Sequence, residues 1–467
     1  MRSLRHTLTI LLTAMALALL GTSAAQAAPH SDAMTVDAYV TDAPTQSPGT
    51  IFKRLKAGET PEAVGLTQRH RAIKSDAVRR IGPASLRGDV PNASAGEAGA
   101  SGARLSPTVT DVPKRTMTLA ECKAHTASDA SMWIASRFAM CESRWFAANW
   151  HQNGKVVGFS QMTVSAIATV SANSRDIKFD YYFSDFYAAG INAIDATLVG
   201  TSVNHPTVPD GVTLGQGGLN PTPTTVAQLK ANPHFMISTN AAPGQGLAPD
   251  DGIWAVWNMQ FVPEWPPGWV ETNPLAEWKF SSFGLRWDNS PYLPNYKPTD
   301  VLHTGGAALS YDVSPLRYST ASTAPERAVA SHIKTAFTQP QNTLPANPSK
   351  HVAGQSASDP LHRLQKSINQ TNLNRYNANR REAVKVCTAA DPNYASKGLE
   401  CDEYPFASTY EGSAQSIYEP SKPKKNFSAL AINGTENTAG GTQLATYYAN
   451  NRIIDGPNDE FYVVIIP

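Results

Sequence analysis

Tryptophan stops well before the end of this chain. All nine tryptophans lie between Trp133 and Trp287, and none follows. Large aromatic side chains dominate the cores they enter, so a chain that confines them to one stretch must build cores of two different kinds. The change of character comes at Gln339 to Gln355, QPQNTLPANPSKHVAGQ, a polar, breaker-rich stretch that reads as a linker. Length agrees, since 467 residues correspond to roughly two to three domains.

Upstream, short apolar or aromatic runs such as SMWIASRFAM, KVVGFSQMTV and IKFDYYFSDF alternate with turn signals such as Asn153-Gly154. This pattern predicts a β-rich, sandwich- or barrel-like domain over 113–338. Within it, APERAVASHIKTAF at Ala324 to Phe337 has helical spacing and opens on Pro325-Glu326, a good helix start. The Trp- and Pro-dense tract Trp254 to Trp287 has two readings. It is a core with proline-shaped loops, the commoner use of such residues, or an aromatic face that stacks on sugar rings or bases.

The first residues read as a secretory signal peptide. Arg2 and Arg5 precede an apolar run from Leu8 to Leu20, and Ala25-Gln26-Ala27 is a small-residue cleavage site. Residues 28–112, which include PNASAGEAGASG, are poor in large apolar groups and are expected to be a low-complexity leader or pro-segment. No later stretch is apolar enough to span a bilayer, so a secreted, extracellular protein without a membrane anchor is expected. Four cysteines allow three connectivities, and sequence does not choose among them. Pairing within the local couples Cys122/Cys141 and Cys387/Cys401 is the economical choice. The 39 Lys and Arg nearly cancel the 38 Asp and Glu, so any polyanion must be bound by basic groups gathered locally.

Past the linker, residues 356–467 predict a compact α+β domain ending in the strand FYVVII. Leu361, Leu364 and Ile368 recur at helical spacing, and Arg375, Arg380, Arg381 and Lys385 form a basic group before Cys387. The stretch CDEYPFASTYEGS then gathers three carboxylates. Asp402 and Glu403 are adjacent, so on a strand they face opposite sides. Glu411 stands before Gly412, which permits a turn back towards Asp402. Downstream, NGTENTAGGT supplies hydroxyl and amide oxygens, and TQLATYYANN reads as a short helix. Oxygen donors of this kind suit a hard divalent cation, Mg²⁺ or Mn²⁺.

These pieces, CDEYPFASTYEGS, NGTENTAGG and RIIDGPNDEFYVVII, resemble the secreted bacterial NucA/NucB deoxyribonucleases over about 359–467. The resemblance implies a metal-dependent, largely sequence-non-specific endonuclease acting on DNA through its backbone phosphates. By its motifs Asp402 would be the general base that activates water, and Glu403 a catalytic neighbour that shapes or charges the site. Glu411 would be a metal ligand or site organiser, and Asn437 a metal ligand or phosphate-positioning group. The basic group Arg375, Arg380, Arg381 and Lys385 would contact substrate phosphate. The chain departs from the family pattern in having Glu400-Cys401 for Asp-Arg, Tyr410-Glu411-Gly412-Ser413 for Glu-Glu-Gly-Gly, and Thr438 for an arginine.

Two other readings compete. In one, the β-rich domain binds cell wall or carbohydrate and the C-terminal domain is a non-catalytic interaction module. In the other, Asp402 and Glu411 form the carboxylate pair of a glycoside hydrolase, though they lack the tryptophans that usually line sugar subsites. His362, a lone histidine, reads as structural, and Glu436 as a surface acid.

Overall fold

The computed structural model describes residues 34–41, 43–66, 73–74, 112–126, 132–191, 193–204, 211–218, 223–242, 245, 252–272, 278–279, 283–295, 305–310 and 314–467. The expected signal peptide and the PNASAGEAGASG stretch lie outside them. Part of the expected leader does not. Strand β1 (Met34–Thr41) and helix α1 (Pro48–Lys56) are packed elements, with Val36, Ala38 and Ile51 fully buried. Poverty in large apolar groups is offset here by pairing, because β1 runs antiparallel along residues 145–152 from end to end.

Helix α2 (Leu119–Thr126) follows, then a long antiparallel meander of β2 (Ala139–Gln152), β3 (Lys155–Val170) and β4 (Ile177–Gly190). Asn153 and Gly154 both take positive φ, at 52° and 72°, as a two-residue turn between right-twisted strands requires. Strand β3 is buried almost throughout because both its faces are covered. Met162, Val164 and Ala166 point into the main core, while Phe159 meets α1 and Ile167 lies beside the Cys122–Cys141 disulfide. These strands belong to a nine-stranded sheet.

Strands β5 (Ile253–Glu264) and β6 (Phe283–Asp288) belong to a second, six-stranded sheet, and one core cluster draws on both. Phe179 of β4 stacks on Trp257 of β5 with centroids 4.4 Å apart. Trp254, Trp257 and Trp287 of the Trp-dense tract are buried and Trp265 and Trp269 half-buried, so the tract supplies core.

The C-terminal core begins earlier than the expected linker. Strand β7 (Ser314–Ser319) pairs in parallel with the last strand, and helix α3 (Arg327–Thr338) packs behind it. Val352 is fully buried, and the Leu344 carbonyl accepts from the Ala429 amide at 2.8 Å, so 339–355 runs along this core and does not stand off it. The helical spacing at Leu361, Leu364 and Ile368 does not form a helix. Leu361–His362 is a short strand, β8, and helix α4 starts only at Gln370 and runs to Ala390, capped by the Asn369 side chain. Strands β9 (Leu399–Tyr404) and β10 (Ser428–Asn433), helix α5 (Gly434–Asn450) and strand β11 (Glu460–Ile466) complete the domain. Among the described residues no helix is long and apolar enough to cross a membrane.

Buried charges join the two regions. Arg137, Arg286 and Asp288 come from the β-rich side, Arg452 and Asp459 from the C-terminal side, and water reaches almost none of them. Asp459 accepts from Arg137 Nη2 at 2.6 Å, from Arg286 Nη1, and from the Ile454 amide at 2.8 Å. Arg452 Nε donates to Asp288 Oδ2 at 2.9 Å. Removing one partner of a buried network strands the opposite charges. Asp459→Asn is therefore expected to lower unfolding stability by roughly 3–5 kcal/mol, read from the urea midpoint. A loss under about 1 kcal/mol, the range of an exposed ion pair, would show that the network does not hold the junction.

Candidate active site

The acidic motif lies on a strand–strand–helix unit. β9 and β10 pair antiparallel, with Asp402 opposite Leu430 and Glu403 opposite Ala429. Asn433 ends β10 and caps α5, its side chain accepting from the Thr435 and Glu436 amides. The NTAGG stretch is thus the first turns of a helix and not a loop. Gly440 is required there, because a Cβ would come within 2.7 Å of Val329 on α3. The Cys387–Cys401 disulfide ties the end of α4 to β9.

Alternation along β9 sends its two acids to different supports. Asp402 meets α3, where His332 Nδ1 sits 2.6 Å from its Oδ2. Glu403 meets α4 and accepts from Arg380 Nη1. Burial pushes the Glu403 carboxyl up to about 7, against the opposing pull of Arg380. Both acids nonetheless reach one cleft of about 620 Å³, together with Asn437, Arg380, Arg363, Lys366 and Tyr292.

The remaining expected site residues are placed elsewhere. Both Glu411 oxygens are taken by His362, from its backbone amide at 2.9 Å and its ring Nδ1 at 2.8 Å, and Glu411 does not line the cleft. Arg375 is buried, paired with Glu419 and stacked near Tyr410 and Tyr418. Arg381 and Lys385 are exposed beside Glu382, outside the cleft lining. Of the basic group only Arg380 enters.

Four contributors carried no motif. Arg363 and Lys366 stand in LHRLQK, a segment whose spacing suggested a helix. Asn379, fully buried on α4, donates to the carbonyls of Ala407 and Thr409 at 2.9 and 3.1 Å and accepts from the Ala414 amide at 2.9 Å. It shapes the loop after the acidic motif, and Gly412 is glycine because a Cβ there would fall 2.4 Å from the Asn379 side chain. His332 had no signal beyond its helix.

Among the described residues no group of three or more His, Cys, Asp or Glu converges as a metal cage. The cleft offers oxygen instead. Asn437 Nδ2 donates to Glu400 Oε2 at 2.9 Å, which leaves its Oδ1 as an acceptor. So sparse an oxygen set fits a hard cation that keeps most of its water and takes further ligands from phosphate. It is poorer than the three or four His, Cys, Asp or Glu side chains that zinc sites usually draw from the protein.

Residues 351–464 match the family model of deoxyribonuclease NucA/NucB. At the level of the family, this C-terminal segment is a deoxyribonuclease-type hydrolase domain, as the acidic and Asn-Gly motifs implied. No curated protein and no solved structure matches the chain. The matched segment contains the cleft acids and Asn437 but stops short of β7 and α3.

The His362–Glu411 brace is testable apart from any activity. Burial disfavours the charged ring, but hydrogen bonds to Glu411 and Glu460 prevail and raise its pKa from 6.5 to about 9. A raised value means the pairing contributes fully below pH 6.5 and fades as the pH climbs through 9. His362→Gln is expected to cost roughly 3 kcal/mol at pH 6 and far less above pH 9, measured by urea unfolding at both. A gap that stays constant across that range would exclude the brace as the source.

Proposed function

We propose that the chain is an endodeoxyribonuclease hydrolysing DNA phosphodiesters without sequence preference, working in the cleft where Asp402, Glu403, Arg380 and Asn437 meet. That convergence, within a segment matched by the NucA/NucB family, is the observation that carries the reading.

Asp402 is the general base. Its Oδ2 is engaged by His332, Oδ1 has no hydrogen-bond partner among the described residues, and the residue lines the cleft. It takes a proton from water as the water oxygen bonds to phosphorus and the bond to the leaving sugar oxygen breaks. Arg363, Lys366 and Arg380 line the cleft as phosphate contacts, which position the backbone without reading bases. Glu403 keeps Arg380 in place through their ion pair. Asn437 would hold the divalent cation with water and phosphate oxygens, its amide fixed by Glu400. A bound Mg²⁺ or Mn²⁺ would neutralise charge growing on the phosphate. Glu411 organises the adjoining loop through His362.

Export belongs to the same reading. The apolar run Leu8 to Leu20 after Arg2 and Arg5 supports a signal peptide, and the two disulfides suit an oxidising compartment.

The test is plasmid cleavage by the full chain from Ala28 onward in Mg²⁺ or Mn²⁺. Chelation is expected to abolish cleavage and added metal to restore it. Asp402→Ala should lower kcat about 10²-fold or more. With three phosphate contacts, kcat/KM should fall roughly 40-fold between 50 and 200 mM salt. Undiminished cleavage by Asp402→Ala would remove the proposed base, and an inactive wild type would remove the function.

A further inference from the structure

We propose that His332, a residue outside the family-matched segment, is a positioning residue that fixes the Asp402 carboxylate for proton transfer. The inference rests on Asp402 being the general base. His332 lies on α3, is 3% exposed, and bridges the two strands of the acidic hairpin. Its Nδ1 is 2.6 Å from Asp402 Oδ2 on β9, and its Nε2 is 2.7 Å from Ser428 Oγ on β10.

The roles of the two nitrogens follow from the partners. An ionised carboxylate only accepts, so Nδ1 carries the proton towards Asp402, and in the neutral ring Nε2 accepts from the Ser428 hydroxyl. Both ring nitrogens are thereby committed and the ring plane is fixed. Ser428 sits opposite Tyr404, two residues along from Asp402, so the anchor belongs to the same hairpin as the base. A carboxylate on a short side chain has one soft torsion left. Tying Oδ2 removes it and leaves Oδ1 as the oxygen available to water. Mispositioning a reacting group by about 1 Å can cost about 10²-fold in rate.

His332 is also the place where the upstream chain enters the chemistry. The matched segment starts at residue 351 and supplies the carboxylate, while the group that holds it comes from a helix 13 or more positions earlier, ending at Thr338. The acid motif alone is thus an incomplete site.

Two substitutions separate the contacts. In His332→Asn the amide nitrogen stands near the place of Nδ1, so the donor to Asp402 is kept and Ser428 is lost. In His332→Gln the longer side chain reaches Ser428 and withdraws the donor from Asp402. Plasmid cleavage in Mg²⁺ by the full chain should show kcat down about tenfold or more in His332→Gln with KM within about twofold. His332→Asn should recover to within about threefold of wild type, with melting temperatures recorded for both. Equal losses in the two variants, or wild-type kcat in a folded His332→Gln, overturns the proposal. Should the histidine variants not fold, Ser428→Ala frees the ring: a lower kcat at constant KM supports the proposal, and unchanged kcat overturns it. Asp402→Ala in parallel keeps the outcomes apart. If it is inactive while His332→Gln is unaffected, only the role of His332 falls; if it stays active, the base assignment falls and this proposal with it.

Discussion

Three guanidinium groups and two carboxylates, all taken out of water, meet where the β-rich region joins the C-terminal domain. Desolvating such groups is expensive, and a buried ionic network is weak evidence for stability in itself. What it imposes is geometry. Asp459 can neutralise Arg137 and Arg286 only where β6 and the segment before β11 meet in one relative position, and Arg452 reaches Asp288 under the same condition. That position also brings Tyr292 of the β-rich side to the cleft, where its ring lies 4.7 Å from the Arg363 guanidinium and its hydroxyl accepts from the Asp455 amide at 2.8 Å.

Within the C-terminal domain, the period of a strand does the equivalent task. Adjacent residues on β9 leave on opposite faces, so the Asp402–Glu403 dipeptide contacts two helices at once. One acid is held by a histidine on α3 and the other by an arginine on α4. Their surroundings differ accordingly, Glu403 being burdened by burial and Asp402 keeping an oxygen without a hydrogen-bond partner among the described residues. The pleat thus gives a pair that looks redundant in sequence two different supports, a histidine for one acid and an arginine for the other.

Much of this could be read from the residues. The Asn-Gly hairpin, the helix opening at Pro325, the local cysteine couples and the terminal strand follow from short-range rules that act through a few neighbours. Asp402, Glu403 and Asn437 share one cleft because the strand–strand–helix unit that carries them fixes their spacing. Illegible features depended on distant partners. Helix α4 buries Asn372, Arg375 and Asn379, polar residues that satisfy loops and not an apolar stripe, so its periodicity is weak while that of Leu361 and Leu364 misleads. Arg375 is drawn inward by Glu419 and Tyr410, contacts 35 or more residues away that no local pattern announces. The turn at Gly412 permits Glu411 to fold back towards Asp402, but His362 claims both its oxygens.

The boundary of the motif and the boundary of the fold are different things here. The core beneath the acidic hairpin contains Leu316, Tyr318, Val329, Ala330, Ile333 and Ala336 alongside Tyr404, Phe406, Phe461 and Val463. Strand β11 has β7 as its parallel partner along Ser314 to Ser319, and without that partner it would present an open edge with only the two residues of β8 opposite it. A segment cut at 351 would therefore lose six buried side chains and the longest pairing of its last strand, together with His332. The motif marks where bond cleavage would occur, but the chain that shapes that place starts near Ser314 and leans on the β-rich region through Asp459.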